Sequence, residues 1–211
     1  KKEIDFEIPS GIDSSTVNFN FTINPTLTTS LLNTLDELVL YPYGCVEQTI
    51  SRFLPILYVN NFIKTQNIKL TSSVIEKMPE YVEEGIKRLT DFQQADGGWG
   101  WWKNDRSNPF MTAYVLYGLN YAMLNGFNVE GSVIQSGIKN LEFQILDFKE
   151  KNDLTKLAYM IYVYSEIVKD KKSMPLNKVK EKLDNISRSQ LDPYSLSLTI
   201  LAYSNFNDLK S

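Results

Sequence analysis

The sequence predicts an all-α fold of antiparallel helix pairs packed in a row or a ring, with one short β element ahead of it. Three observations carry that prediction. Apolar residues recur at helical spacing in successive segments from about residue 28 onward, the links between those segments are short, and strict period-2 alternation is confined to one stretch near the start.

The β element is Val17-Asn18-Phe19-Asn20-Phe21-Thr22-Ile23, where apolar and polar residues alternate as in a half-buried strand; Pro25 ends it. Leu31, Leu32, Leu35, Leu38 and Val39 then follow helical spacing, with Thr28 or Thr29 as candidate N-cap, until Tyr41-Pro42-Tyr43-Gly44 breaks the pattern. A second helix starts near Cys45 and takes in Ile50, Phe53, Leu54, Leu57, Tyr58 and Phe62. Pro55 inside it predicts a kink or a break.

A third helix spans Ser72 to Phe92, with Ile75, Met78, Val82, Ile86 and Leu89 as its apolar stripe. The turn-rich aromatic stretch Asp96-Gly97-Gly98-Trp99-Gly100-Trp101-Trp102 follows, then the polar run Lys103 to Asn108. Helical spacing resumes at Pro109 with Met111, Val115, Leu116, Leu119 and Met123, and closes at Asn125-Gly126. Further helices are expected over 131–148, 153–168, 175–186 and 193–206, which brings the count to roughly eight. The last one ends a few residues before Ser211 without a capping element, so a truncated array is expected.

A chain of 211 residues with 43% hydrophobic and 12% aromatic content can fill a sizeable core, which excludes disorder. A net charge of −3 offers no electrostatic footprint for nucleic acid. No apolar run is long enough to span a bilayer, and Lys1-Lys2-Glu3-Ile4-Asp5 reads as an opening cut from a longer protein, not as a signal peptide. The single cysteine excludes an intrachain disulfide. The lack of any histidine excludes Ser-His-Asp and Cys-His catalysis and most zinc sites. No cofactor or metal is expected, so chemistry is left to carboxylates, lysines, tyrosines, amides and one thiol.

That thiol is Cys45, three residues before Gln48. In the first turn of a helix such residues share a face, with Cβ atoms roughly 5–6 Å apart. Attack of the thiol on the Gln48 amide would release ammonia and leave a thioester, an electrophile that needs no histidine. Gly44 suits the tight approach, and Glu47 is a candidate local acid or base. Storing a thioester requires exclusion of water. Tyr41 and Tyr43 flank the pair, and Trp99, Trp101, Trp102 and Phe110 lie in a separate loop able to fold over it. Read without context, Cys45 is equally a small buried hydrophobe and the tryptophan loop a hydrophobic plug.

The stretch Tyr41-Pro42-Tyr43-Gly44-Cys45-Val46-Glu47-Gln48-Thr49 resembles the thioester region of bacterial α2-macroglobulins and is similar to the Gly-Cys-Gly-Glu-Gln motif of the complement and macroglobulin superfamily. Val46 departs from the glycine of the animal proteins, while bacterial members commonly carry a bulkier residue there. The runs Gln94 to Trp102 and Pro109 to Leu116 also resemble bacterial members, in the expected order.

The resemblance implies an incomplete α/α toroid over residues 26–211, with residues 1–25 belonging to an adjoining CUB-like β region. It implies a secreted or periplasmic protein, possible anchorage only through a lipid outside these residues, and neighbouring macroglobulin domains on the same chain. It also implies a protease trap: cleavage of a bait region exposes the thioester, which acylates a lysine amine or hydroxyl of the attacker once. Complement-like members use a histidine to pass the acyl group to hydroxyls. Thr112 falls near that position, among the residues expected to shield the thioester, and the lack of histidine favours amines. Two rival expectations are another α/α toroid class, the terpenoid cyclases and prenyltransferases, and a structural helical array for protein binding. The first requires an acidic initiator cluster or a zinc-site histidine, and this sequence has neither.

Overall fold

The computed structural model describes residues 10–13, 15, 17–18, 44–65, 73–149, 153–168, 174–186 and 190–207. The chain forms two compact units, Lys1–Leu35 and Asp36–Ser211. Of the expected strand only Val17 and Asn18 are described, and neither belongs to a strand; the expected helix over 28–39 lies outside the described residues.

The second unit contains seven helices among its described residues: α1 Val46–Thr65, α2 Ser73–Asp91, α3 Pro109–Leu124, α4 Gly131–Leu146, α5 Leu154–Ile167, α6 Met174–Asp184 and α7 Pro193–Asn207. Their starts follow the caps in the sequence. Asn108 Oδ1 accepts from the N–H groups of Phe110 and Met111 at 3.0 and 3.1 Å, with Pro109 in the first helical position where no N–H is needed. Asp153 accepts from Lys156 N–H at 3.1 Å, and Asp192 from Tyr194 and Ser195 N–H at 2.9 and 3.0 Å. Gly126, at φ +87°, follows the end of α3. Of the kink or break expected at Pro55, the break does not occur: α1 runs through it as one helix. Proline removes one backbone bond there, while Phe53, Leu54, Ile56 and Leu57 around it are all buried and hold the helix by packing.

The helices sort into two rows. α1, α3, α5 and α7 pack each against the next, while α2, α4 and α6 lie behind them, each against the inner helices on either side of it in the chain or one of them. Composition explains the sorting. α3 buries Met111, Thr112, Ala113, Val115, Leu116, Gly118, Leu119 and Ala122, more than one stripe of its surface. α2 buries Met78, Val82, Ile86 and Leu89 along one stripe and exposes Glu76, Lys77, Glu80, Glu83, Lys87 and Asp91. A Cβ at Gly118 would overlap the Ile50 side chain, so this position lets α3 close on α1. An inner row of apolar helices backed by amphipathic ones is the architecture of an α/α toroid.

Candidate functional site

Gly44 sets the entry to α1. It has φ +107°, a conformation that side-chain-bearing residues rarely adopt, and a Cβ there would overlap Gln48 Oε1. The chain turns so that Cys45 stands at the N-cap. Its Sγ accepts the Gln48 N–H at 3.4 Å, and its own N–H donates to Gln48 Oε1 at 3.1 Å. This is a capping box with a thiol in place of the usual hydroxyl. Because the Cys45 N–H is a donor, the carboxamide turns its oxygen toward it. Capping therefore draws the Gln48 carbonyl back toward Cys45. Cys45 is buried, whereas Gln48 is exposed.

Two other elements hold this turn. The Val46 N–H donates to the Trp101 carbonyl at 3.0 Å, so the loop before α3 seals an orphan donor of α1. From α2, Arg88 Nη2 donates to the Gly44 carbonyl at 2.6 Å and Nε to Thr49 Oγ1 at 3.2 Å; Thr49 Oγ1 donates onward to the Cys45 carbonyl at 2.9 Å. The guanidinium lies over the Phe92 ring at 4.8 Å.

The remaining residues predicted at the site separate into different positions. Tyr41 and Tyr43 lie outside the described residues. The Trp99 ring is fully buried, touches the Gly137 backbone side of α4, and donates from Nε1 to the Leu89 carbonyl at 2.7 Å. Thr112 is buried under the same loop, its Oγ1 accepting the Trp99 N–H at 3.0 Å. Trp101 and Trp102 are 46% and 58% exposed, on the loop that touches the start of α1. The Glu47 carboxylate accepts from Ser51 Oγ at 2.6 Å, and Ser51 Oγ lies 3.5 Å from Tyr114 Oη. The exposed Phe110 ring meets Tyr114 and Tyr159 at 5.8 and 5.3 Å.

Beyond that point the inner helices carry a row of phenols. Tyr58 and Tyr117 hydroxyls meet at 2.9 Å, and Asn61 Nδ2 donates to Tyr121 Oη at 3.0 Å. Burial pushes the Tyr162 phenol up to about 12, with the Glu166 carboxylate adding to the shift. Sequence reasoning missed Arg88, Thr49 and the Trp101 carbonyl. Arg88 had a faint signal, a cation three positions after Gly85 on α2 and four before Phe92 just past its end; a backbone carbonyl has none.

Residues 17–144 match the model of the A-macroglobulin TED domain. The chain belongs to the A-macroglobulin TED family. This TED domain is similar to an alpha-2-macroglobulin of Thermotoga maritima, 38% identical over 135 residues, which cover 64% of this chain and 8% of that protein. It is similar in structure to native alpha-2-macroglobulin of Escherichia coli solved from domain MG7 to the C-terminus, with a TM-score of 0.65 and 27% identity over 84% of this chain and 29% of that one. It also matches Salmonella alpha-2-macroglobulin reacted with methylamine, with a TM-score of 0.64 and 27% identity over 85% of this chain and 12% of that one. The TED domain thus spans a small part of its relatives' length. Membership of this family sets aside the terpenoid cyclase and prenyltransferase reading.

Proposed function

We propose that Cys45 and Gln48 close an internal thioester and that this TED domain arms a protease-trapping macroglobulin. In closure, Cys45 Sγ bonds to Gln48 Cδ, the amide C–N bond breaks, and ammonia leaves with the thiol proton. In capture, an amine nitrogen of the target bonds to Cδ, the C–S bond breaks, and the amine's proton ends on the freed Cys45 thiol. Gln48 stays attached to the target, so the reaction runs once and the domain is a covalent inhibitor, not a turnover enzyme.

The observation that carries this reading is the reciprocal bonding of Cys45 and Gln48 across Gly44. The Salmonella relative was solved after reaction with methylamine, which supports an amine-sensitive electrophile in this domain as well. With no histidine to activate hydroxyls, lysine amines are the preferred acceptors. Trp101 and Trp102, with Tyr41 and Tyr43, serve as apolar cover that slows hydrolysis, and Glu47 assists proton movement. Neighbouring domains of the same chain and a periplasmic or extracellular site, with any membrane attachment through a lipid elsewhere, complete the proposal.

The intact mass of the native protein tests it. A thioester lowers the mass by one ammonia, and methylamine adds its own mass while freeing one titratable thiol. An unmodified mass with a freely reactive Cys45 in the full-length protein would overturn the proposal in favour of a structural helical array. Equal labelling by glycerol and methylamine at matched concentration would overturn the preference for amines.

A further inference from the structure

One peptide plane joins two of the contacts at the start of α1. The Gly44–Cys45 peptide carries the Gly44 carbonyl at one end and the Cys45 N–H at the other. The carbonyl accepts from the Arg88 guanidinium at 2.6 Å, and the N–H donates to Gln48 Oε1 at 3.1 Å. A charged donor on a peptide oxygen withdraws electron density through the amide, which makes the N–H of that same peptide a stronger donor. Arg88 is half-buried, so water screens this effect less than at an open surface. Its second bond, to Thr49 Oγ1 at 3.2 Å, and the Phe92 ring at 4.8 Å fix the guanidinium plane from two other sides.

We infer that the Cys45 N–H is the oxyanion donor of the acyl-transfer steps and that Arg88 is a positioning residue that aims and polarises it through the Gly44–Cys45 peptide. The inference rests on the thioester reading above. Both steps of that chemistry pass through a tetrahedral carbon at Gln48 Cδ, and in both the negative charge gathers on Oε1. In closure Cys45 Sγ is the attacking atom and ammonia the leaving group; in capture the amine attacks and the Cys45 thiolate leaves, taking the amine's proton. The same N–H faces Oε1 throughout, so one preorganised donor serves both directions. Arg88 touches no reacting atom. It locks Gly44 in the left-handed conformation that leaves room for the carboxamide, and it places a fixed positive charge behind the donor.

The test uses the full-length protein and two variants, Arg88→Gln, which keeps a neutral donor, and Arg88→Lys, which keeps the charge. Three quantities are read: the fraction of molecules with the mass deficit of one ammonia, the rate of thiol release by methylamine, and the thermal midpoint. Arg88→Gln is expected to lower the rate by about tenfold, below the loss seen when an oxyanion donor is itself removed because the effect is indirect. Arg88→Lys is expected to recover most of it. A purely structural arginine would move the midpoint without separating the two variants in rate. If Arg88→Gln reacts at the wild-type rate with the wild-type thioester fraction, or if Arg88→Lys is as slow as Arg88→Gln, the role assigned to Arg88 falls. Should Arg88→Gln not fold, Arg88→Lys decides alone: a thioester fraction near wild type supports the role and a fraction well below it overturns it. A wild-type protein with no mass deficit would overturn the thioester reading itself, a different outcome from any of these.

Discussion

The Cys45 thiol and the Gln48 carboxamide cap the same helix end for each other, Sγ receiving the Gln48 N–H at 3.4 Å and Oε1 receiving the Cys45 N–H at 3.1 Å. On the proposed chemistry, a structural motif and a reactive pair are one object. In most proteins this box is made by serine or threonine with glutamate or glutamine, and its value is the satisfaction of two orphan donors. Here the same bonds fix the separation and the orientation of a thiol and a carboxamide.

That double use can be split by mutation. Cys45→Ser is expected to keep the cap, since a hydroxyl accepts from an N–H at least as well as a thiol, and to keep the unfolding free energy within about 1 kcal/mol of wild type. The mass deficit and the methylamine-released thiol are both expected to vanish. Mass spectrometry and a denaturation curve on the same sample separate the two effects, and a large loss of stability would contradict the assignment of Cys45 as a cap replaceable by serine.

Gly44→Ala attacks the same turn from the backbone. The position combines φ +107° with overlap between a Cβ and Gln48 Oε1, so alanine must either strain the backbone or expel the carboxamide. Backbone strain of this kind costs about 1–3 kcal/mol. The expected result is a folded protein with little or no thioester, read as an undiminished intact mass. Wild-type thioester content in Gly44→Ala would show that the carboxamide finds another route to Cys45.

Trp99→Phe tests the loop. The indole Nε1 supplies a donor to the Leu89 carbonyl, one of the last of α2, at 2.7 Å in a fully buried setting. Phenylalanine fills most of the volume and leaves that carbonyl without its partner, at a cost of about 1–3 kcal/mol. Chemical denaturation should show the loss at the midpoint. The loop also offers its Trp101 carbonyl to the Val46 N–H, so faster methylamine-independent hydrolysis is expected in the same variant.

Stability should fall at low pH through the α7 cap. The Asp192 carboxylate accepts from the Ser195 hydroxyl and N–H, Thr155 Oγ1 and the Tyr194 N–H, which hold it down at about 2. In the unfolded chain it titrates near about 3.9, so between those values the unfolded state binds more protons. The stabilisation is full above about pH 4 and disappears as pH drops through about 2. Asp192→Asn should show a shallower decline of the thermal midpoint across that window, and parallel curves for the two proteins would refute it.

Much of this was legible in the sequence. The seven described helices fall within a few residues of the apolar periodicity, because caps such as Asn108 and Asp153 and stops such as Asn125-Gly126 are local signals. Cys45 and Gln48 were legible because three-residue spacing on a helix start fixes their meeting. The tryptophan loop was legible only as composition. Trp99, Trp101 and Trp102 sit within four residues of each other, yet one is a core residue and two face solvent, and which ring turns inward depends on Leu89, Thr112 and Gly137 from three other elements. Arg88 was only faintly legible for the same reason: its importance lies in a carbonyl contributed by Gly44, 44 residues earlier.

The bond from the Val46 N–H to the Trp101 carbonyl has a consequence in time. Its partners belong to the start of the first helix and to the loop after the second, so the contact forms only after α1, α2 and that loop have been made and packed. Contacts between distant segments carry a closure entropy that nearby ones do not, and they form late. Arg88 and Gly44 obey the same order. An unfinished chain thus holds Cys45 and Gln48 on a short helix start that lacks both of these braces, and on the proposed chemistry the bond waits for the domain. The electrophile is then a record of successful folding, written into the covalent structure only by molecules that have reached the native state.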